Sequence, residues 1–363
     1  LKQGEYIKGR GAQQNTANKF SAYSYEMRDD FLEFCHIEGE AAQNNHTQYL
    51  PIFPKTIVNK ITNPDAGMLY SMNPYQGCEH GCVYCFARNT HEYWGYSAGL
   101  DFERKILVKE DAPKLLEAFL KRKSWKAQTI VLSGNTDCYQ PAEKQYRITR
   151  ACLEVFLKYK HPVGIITKNA MILRDLDILK ELAKHQLIGV HLSVTSLSED
   201  TRRILEPRTV SIKKRLETIA VLSEHNIPVN AMLAPIIPGI NSHEVLPLAK
   251  AVSEYGALSF GYTVVRLNGA IGQLFEDWIR KTMPDKAEKV LQQIRECHGG
   301  QLNDSRIGIR TKGEGVMAQQ IRDMVRLAKH RYFKGKNLPQ LNMTLYEENK
   351  IHWPNVQGQL RLF

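Results

Sequence analysis

The chain has 363 residues, 43% hydrophobic and 24% charged, with 49 Lys and Arg against 38 Asp and Glu for a formal charge of +11. That length carries one large α/β domain or two smaller ones, and no apolar run approaches the roughly 18–20 residues of a spanning helix, which excludes a membrane protein built on such helices. The positive balance points to an anionic partner, and an odd count of seven cysteines argues against a disulfide framework and for a reducing, cytoplasmic setting.

Residues 1–60 read as a polar N-terminal extension, because GAQQNTANKF and AAQNNHTQY offer few apolar residues at any regular period. Residues 1–30 hold no apolar segment of a secretory signal. From about Tyr70, short apolar runs alternate with longer amphipathic ones. Strands are expected at 69–73, 129–132, 163–167, 188–194, 229–234 and 258–265. Helices are expected at 112–123, 142–159, 171–185, 199–225 and 242–256, the first with Leu115, Leu116, Phe119 and Leu120 on one face.

Such alternation builds a parallel sheet covered by its crossover helices. Six βα units fit between residues 69 and 298, within a domain of residues 61–298, which suits an α/β partial (β/α)6 TIM-like barrel better than an eight-fold one of about 250 residues. Functional groups then belong at the C-terminal ends of the strands. Residues 299–358 form a basic helical C-terminal region outside the barrel. There a helix at 313–333 carries Ile321, Met324, Val325, Ala328 and Tyr332 as its apolar stripe, and residues 310–336 hold eight Lys/Arg against two Asp/Glu. This excess is either a solvated helix face or an anion-binding surface.

The sharpest feature follows the first strand: Cys78-Glu-His-Gly-Cys82-Val-Tyr-Cys85. Three thiolates at i, i+4 and i+7 on a looping backbone converge on one inorganic centre. A structural zinc would want a fourth ligand, from His80 or His91. A disulfide is disfavoured by the odd count, and chance burial by the neighbouring glycines and the missing apolar period. An iron–sulfur cluster on three cysteines is the leading reading, and it leaves one iron open to chemistry.

With an aromatic residue before the last cysteine, C-x3-C-x2-C resembles the signature of the radical S-adenosylmethionine (radical SAM) superfamily, and the resemblance extends over about residues 69–265. It implies a [4Fe–4S] cluster on Cys78, Cys82 and Cys85, whose open iron binds the amino and carboxylate groups of S-adenosyl-L-methionine. One electron, from a reductant such as flavodoxin or ferredoxin, then cleaves the sulfonium to methionine and a 5′-deoxyadenosyl radical that abstracts hydrogen from the substrate. Tyr84, at the family's aromatic position, packs near the adenine or serves ordinary loop packing.

The later strand ends supply further candidates. Asn135, Thr136 and Asp137 suit the cationic amino group of the cofactor, with a cap or turn as the alternative. Lys168 suits its carboxylate, and Ser193 or Thr195 its ribose. Of the charges that follow, Arg202 and Arg203 read as a solvated helix terminus, before Glu206 and Arg208. The fifth strand ends in the stiff turn from Ala234 to Pro238 and Gly239, similar to the superfamily's adenine-binding strand, with Pro238 as the candidate contact. The Asn-Thr-Asp and Thr-Lys pairs look most like the spore photoproduct lyase and DNA repair photolyase-like branch. In that lyase a cysteine hydrogen donor stands three positions before the aspartate, where this chain has Gly134. Cys138 is then either a relocated catalytic donor or a small buried residue. The aromatic block 89–96 lines a substrate entrance, stacks on a base or simply packs.

The sequence ends Gln359-Leu360-Arg361-Leu362-Phe363, which looks like the peptide by which bacterial replication and repair proteins dock on the sliding clamp. Leu360, Leu362 and Phe363 would be its apolar anchors and Gln359 its register; the alternative is a tail tucked against the barrel. The expectation is a radical SAM enzyme acting on nucleic acid, in DNA repair or modification. Its competitors are a radical SAM enzyme for a peptide or small molecule, and a nucleic-acid-binding protein with a structural metal site.

Overall fold

Two sheets organise the computed structural model, which describes residues 6–20 and 46–351. The strands are β1 (Gln48–Pro51), β2 (Val58–Lys60), β3 (Tyr70–Met72), β4 (Tyr75–Gln76), β5 (Lys105–Val108), β6 (Ile130–Leu132), β7 (Val163–Thr167), β8 (Ile188–Ser193), β9 (Val229–Ile236) and β10 (Ser259–Val264). The larger sheet runs β10-β9-β8-β7-β6-β3-β2 and is parallel except where β2 meets β3. Its six parallel strands are the partial barrel, each within two residues of its expected place. They form where they do because Ile130, Leu132, Val163, Ile165, Ile188, Val190 and Leu192 are buried between the barrel interior and a jacket of helices.

That jacket comprises α1 (Leu100–Arg104), α2 (Ala112–Leu120), α3 (Glu143–Tyr146), α4 (Ile148–Lys158), α5 (Leu176–Lys184), α6 (Glu199–Leu205), α7 (Ile212–Glu224), α8 (Val245–Glu254), α9 (Ala270–Thr282), α10 (Pro284–Cys297), α11 (Gly315–Tyr332) and α12 (Thr344–Ile351). Two expected helices are split. The 199–225 helix breaks at Pro207, which cannot continue α6, and α7 restarts on Ser211, whose hydroxyl accepts from Lys214 N at 3.3 Å. The 142–159 helix breaks at Arg147, whose φ is 50°, while the buried Glu143 carboxylate accepts from Thr149 N at 3.0 Å and so caps α4.

The N-terminal reading needs correction. Residues 6–20 are no loose extension: Ala12 is fully buried, its N donates to Glu103 Oε1 at 2.8 Å, and Thr16 N donates to Ser97 Oγ at 2.7 Å. A polar segment can pack without apolar period when its backbone meets buried side-chain partners. Residues 46–60 likewise supply strands, β1 pairing in parallel with β5 and β5 antiparallel with β4 in the smaller sheet.

The tail is corrected as well. α11 buries Ile321, Val325 and Ala328 of the expected stripe and Ala318 besides, with Met324 and Tyr332 packed beside them. Residues 302–311, however, belong to the barrel. Val264 N donates to Thr311 O and Leu267 N to Leu302 O, both at 2.9 Å, so this segment runs along the end of β10. Among the described residues no helix is long and apolar enough to cross a membrane. The clamp-like residues Gln359, Leu360, Leu362 and Phe363 lie outside the described residues.

Candidate active site

A cavity of about 470 Å³ opens at the carboxyl ends of the parallel strands, within the ~300–1,000 Å³ of ordinary ligand and cofactor sites. The strands deliver Asn135, Thr136 and Asp137 after β6, Lys168 after β7, Ser193 at the end of β8 and Pro235 late in β9. The loop after β4 brings Cys78, His80, Cys82, Tyr84 and Cys85 to the same cavity.

Backbone contacts set the shape of that loop. Cys78 N donates to Phe102 O at 2.8 Å, and Val83 N to Leu205 O at 3.1 Å. Arg88, fully buried, donates from Nε to Cys82 O at 3.0 Å and from Nη2 to Glu103 Oε1 at 2.6 Å. Glu103 in turn accepts from Ala12 N, so the N-terminal strap is tied to the middle cysteine through two buried charges. Gly81, at φ +69°, turns the chain here, and a methyl group at Gly11 would overlap the Gly81 carbonyl oxygen.

Charge in the cavity is held by neighbours. Burial opposes ionisation of Asp137, but His80 and the backbone N–H groups of Lys168 and Tyr139 keep its carboxyl below the usual range. Its oxygens accept from Thr167 Oγ1 and Lys168 N at 2.8 Å and from Tyr139 N at 2.9 Å. Burial likewise opposes the Lys168 ammonium, yet Glu206, Cys82 and Asp137 outweigh it and hold its pKa above the ordinary value. Glu206 is the hub: its carboxylate accepts from Tyr84 Oη, from Thr195 Oγ1 at 2.9 Å and from Arg215 Nη2 at 2.5 Å.

The expected residues separate accordingly. Cys78, Cys82, Cys85, Tyr84, Asn135, Thr136, Asp137, Lys168 and Ser193 share the cavity; Thr195, Pro238 and Cys138 do not line it. Thr195 lies past the strand end and spends its hydroxyl on Glu206. Pro238 lies in the turn, and Pro235 lines the wall instead. Cys138 is fully buried in the main core, its N donating to Ser133 Oγ at 2.6 Å, which makes it the small buried residue. The Asn135 and Thr136 polar groups are largely engaged: Asn135 Nδ2 donates to Thr90 Oγ1 at 3.0 Å, and Thr136 Oγ1 to Tyr75 O at 2.6 Å. Arg202 is buried on the carbonyls of Glu206 and Thr209, not solvated, whereas Arg203 is exposed. From the aromatic block 89–96, Tyr93 and Trp94 stand exposed and His91 is buried, and none of the three lines the cavity; Phe86, just before the block, does.

Sequence reasoning passed over Glu206 as a site residue and did not single out Arg215. The signal was present: Arg215 shares a helical face with Ile212, Leu216, Ile219 and Leu222, and a charge on a buried stripe demands a partner.

Comparison with known proteins settles the family. The family model described as the radical SAM superfamily matches residues 72–252. The chain is a radical SAM enzyme. This radical SAM protein is 29% identical over 261 residues to an uncharacterized protein of Mycobacterium bovis, covering 70% of this chain and 76% of that one. It is 23% identical over 172 residues to the radical SAM Nα-GlyT isomerase of Pseudomonas phage M6, covering 47% of this chain and 34% of the phage protein. Its fold is shared with spore photoproduct lyase complexed with dinucleoside spore photoproduct, at a TM-score of 0.59 and 15% identity over 79% of this chain and 80% of the lyase.

Membership in the superfamily implies S-adenosylmethionine and an iron–sulfur cluster, and the donor set fits them. Three thiols line one cavity, yet among the described residues no three His, Cys, Asp or Glu side chains come together tightly enough to share one ion. A zinc ion with Zn–S bonds of about 2.3 Å needs that tight grouping, whereas a multi-iron centre takes one thiolate per iron. His80 Nδ1 faces Asp137 at 3.4 Å, and His91 is buried outside the cavity against the Tyr96 and Phe102 rings, burial pushing it down to about 4. Burial also pushes the Cys78, Cys82 and Cys85 thiols up, so their ionisation depends on the positive charge of a metal centre.

Proposed function

We propose that the enzyme holds a [4Fe–4S] cluster on Cys78, Cys82 and Cys85 and acts on nucleic acid, in DNA repair or base modification. The observation that carries this reading is the shared cavity, where three thiols, an ammonium, a carboxylate and a hydroxyl converge at the ends of parallel strands. When bound, the cluster supplies the electron that cleaves S-adenosylmethionine to methionine and a 5′-deoxyadenosyl radical, which takes a hydrogen atom from the substrate.

The chain's own residues bind and orient. Lys168 offers a charged ammonium to the cofactor carboxylate, and Asp137 a negative charge to its amino group. Ser193 offers a hydroxyl to the ribose, while Ala234 and Pro235 give the adenine an apolar wall. Glu206 fixes the Tyr84 ring through its hydroxyl, and Lys168 Nζ sits 6.0 Å from that ring's centroid. Ile166, Met232, Val264 and Val265 add apolar surface to the wall, which helps keep water from a reactive intermediate.

The nucleic-acid part draws support from the lyase that shares the fold, solved with a dinucleoside photoproduct, and from the +11 charge. The test is reduction of anaerobically reconstituted protein with S-adenosylmethionine and deuterated oligonucleotides. Deuterium should pass into 5′-deoxyadenosine with a nucleic-acid substrate. Transfer from peptides or small metabolites alone would move the reading to the other substrate class.

A further inference from the structure

The cysteine loop and strand ends account for the inner cavity; its lip is built from other parts of the chain. Asn63, Ala66 and Met68 come from the link between β2 and β3, Arg266 from just past β10, and Arg310 from the tail segment. Arg310 is fixed across the lip: its Nε donates to Asp65 Oδ2 at 2.5 Å and its Nη2 to Asn63 Oδ1. The Asp65 carboxylate also accepts from Gly308 N at 3.0 Å.

Arg266 is differently placed. Among the described residues its one hydrogen bond runs from Nη1 to the Asp304 carbonyl at 3.4 Å. The Asp304 carboxylate is already taken by Arg306, with Nη2 at 2.6 Å and Nε at 3.1 Å. Asp65 is similarly committed to Arg310. Asp65 and Asp304 both favour the Arg266 charge from nearby, but each carboxylate is hydrogen-bonded to another arginine, so among the described residues Arg266 makes no carboxylate bond of its own. Burial, the largest effect, and the nearby Arg310 hold its pKa below the ordinary value in spite of Asp65 and Asp304, so an arriving anion would favour the charged form.

We infer that Arg266 and Arg310 form an anion subsite for a phosphodiester of the substrate strand, beside the 54%-exposed Phe86 ring as a stacking face for a nucleotide. The inference rests on the nucleic-acid reading above. A guanidinium fork matches two phosphate oxygens at once, and the lip position holds the backbone outside while the base enters the cavity. Phe86 lines the same cavity, and Asn89, three residues on, donates from Nδ2 to Asn268 O at 2.8 Å, which ties this turn of chain to the segment just past Arg266.

The test is fluorescence anisotropy of a labelled single-stranded decanucleotide with the full-length reconstituted protein and S-adenosylmethionine, across a salt series. Arg266→Gln and Arg310→Gln should each weaken binding about 5- to 20-fold and lower the salt slope by about 1. Arg266→Lys should keep the slope, and Arg326→Gln on the exposed face of α11 should change neither. A decanucleotide with one central methylphosphonate should bind the wild type less tightly and the Arg266→Gln variant no worse than the parent strand. Unchanged affinity in both lip variants, or an equal loss in Arg326→Gln, overturns the subsite while the nucleic-acid reading stands. If the wild type binds no oligonucleotide at all, both fail.

Discussion

Replacing Glu206 by Gln tests the charge network that braces the inner cavity. Glu206 and Arg215 have no solvent exposure, and Nη2 lies 2.5 Å from Oε2. Burial opposes the carboxylate's charge, but Arg215 and Lys168 hold it at about 2 against an ordinary 4.5. That difference corresponds to about 3 kcal/mol favouring the folded, ionised state. Because the folded-state value is depressed, the contribution is complete above the unfolded carboxyl range near 4.5 and is lost as pH falls towards 2. At pH 7, Glu206→Gln strands a buried guanidinium and should cost about 3–5 kcal/mol, a fall in Tm of roughly 4–7 °C. Arg215→Met should cost a similar amount, and Glu206→Leu with Arg215→Met less than the sum, because Arg215 is no longer stranded, although Lys168 still loses Glu206. Anaerobic thermal unfolding at pH 7 measures all three. Additive losses, or a Glu206→Gln protein within about 1 kcal/mol of wild type, would refute the argument.

Three further outcomes follow from the same geometry. A side chain at Gly134 would place its Cβ 2.5 Å from Ser71 Cβ, so Gly134→Cys should destabilise by about 1–3 kcal/mol and be rescued by Ser71→Gly; urea unfolding decides. Cys138→Ala should retain cluster iron and substrate-dependent deuterium transfer, since the side chain lies in the core; full iron with no product would restore it as a donor. Gly11→Ala should lift the strap from the cysteine loop, seen as faster hydrogen exchange over residues 6–20 and faster bleaching of the cluster in air, whereas unchanged exchange would show the strap does not need that close approach.

Much of the barrel was legible because β6 and β7 are short aliphatic runs buried almost throughout and β8 and β9 bury alternate residues. The smaller sheet was not: β4 has two residues and β1 and β5 four each, too few to show a period against loop composition. The break at Pro207 is written in the sequence, whereas the left-handed turn at Arg147 depends on Glu143, whose burial only the fold reveals. At the site, residue type was a better guide than exact position. Serine at the end of β8 reaches the cavity and threonine two residues later does not, because the strand stops at Ser193 and alternation stops with it. Arg266 and Arg310 share the cavity only through the long return of the tail along β10, a juxtaposition that no local pattern encodes.

The central claim is that Cys78, Cys82 and Cys85 hold the cluster that cleaves S-adenosylmethionine in this cavity. It is tested most directly by reducing the anaerobically reconstituted protein with S-adenosylmethionine and quantifying 5′-deoxyadenosine and methionine. The account predicts a brown protein that releases both products in equal amounts, and a Cys82→Ala variant that is colourless and releases neither. Colourless, zinc-loaded wild-type protein after iron reconstitution, or undiminished cleavage by Cys82→Ala, would contradict it.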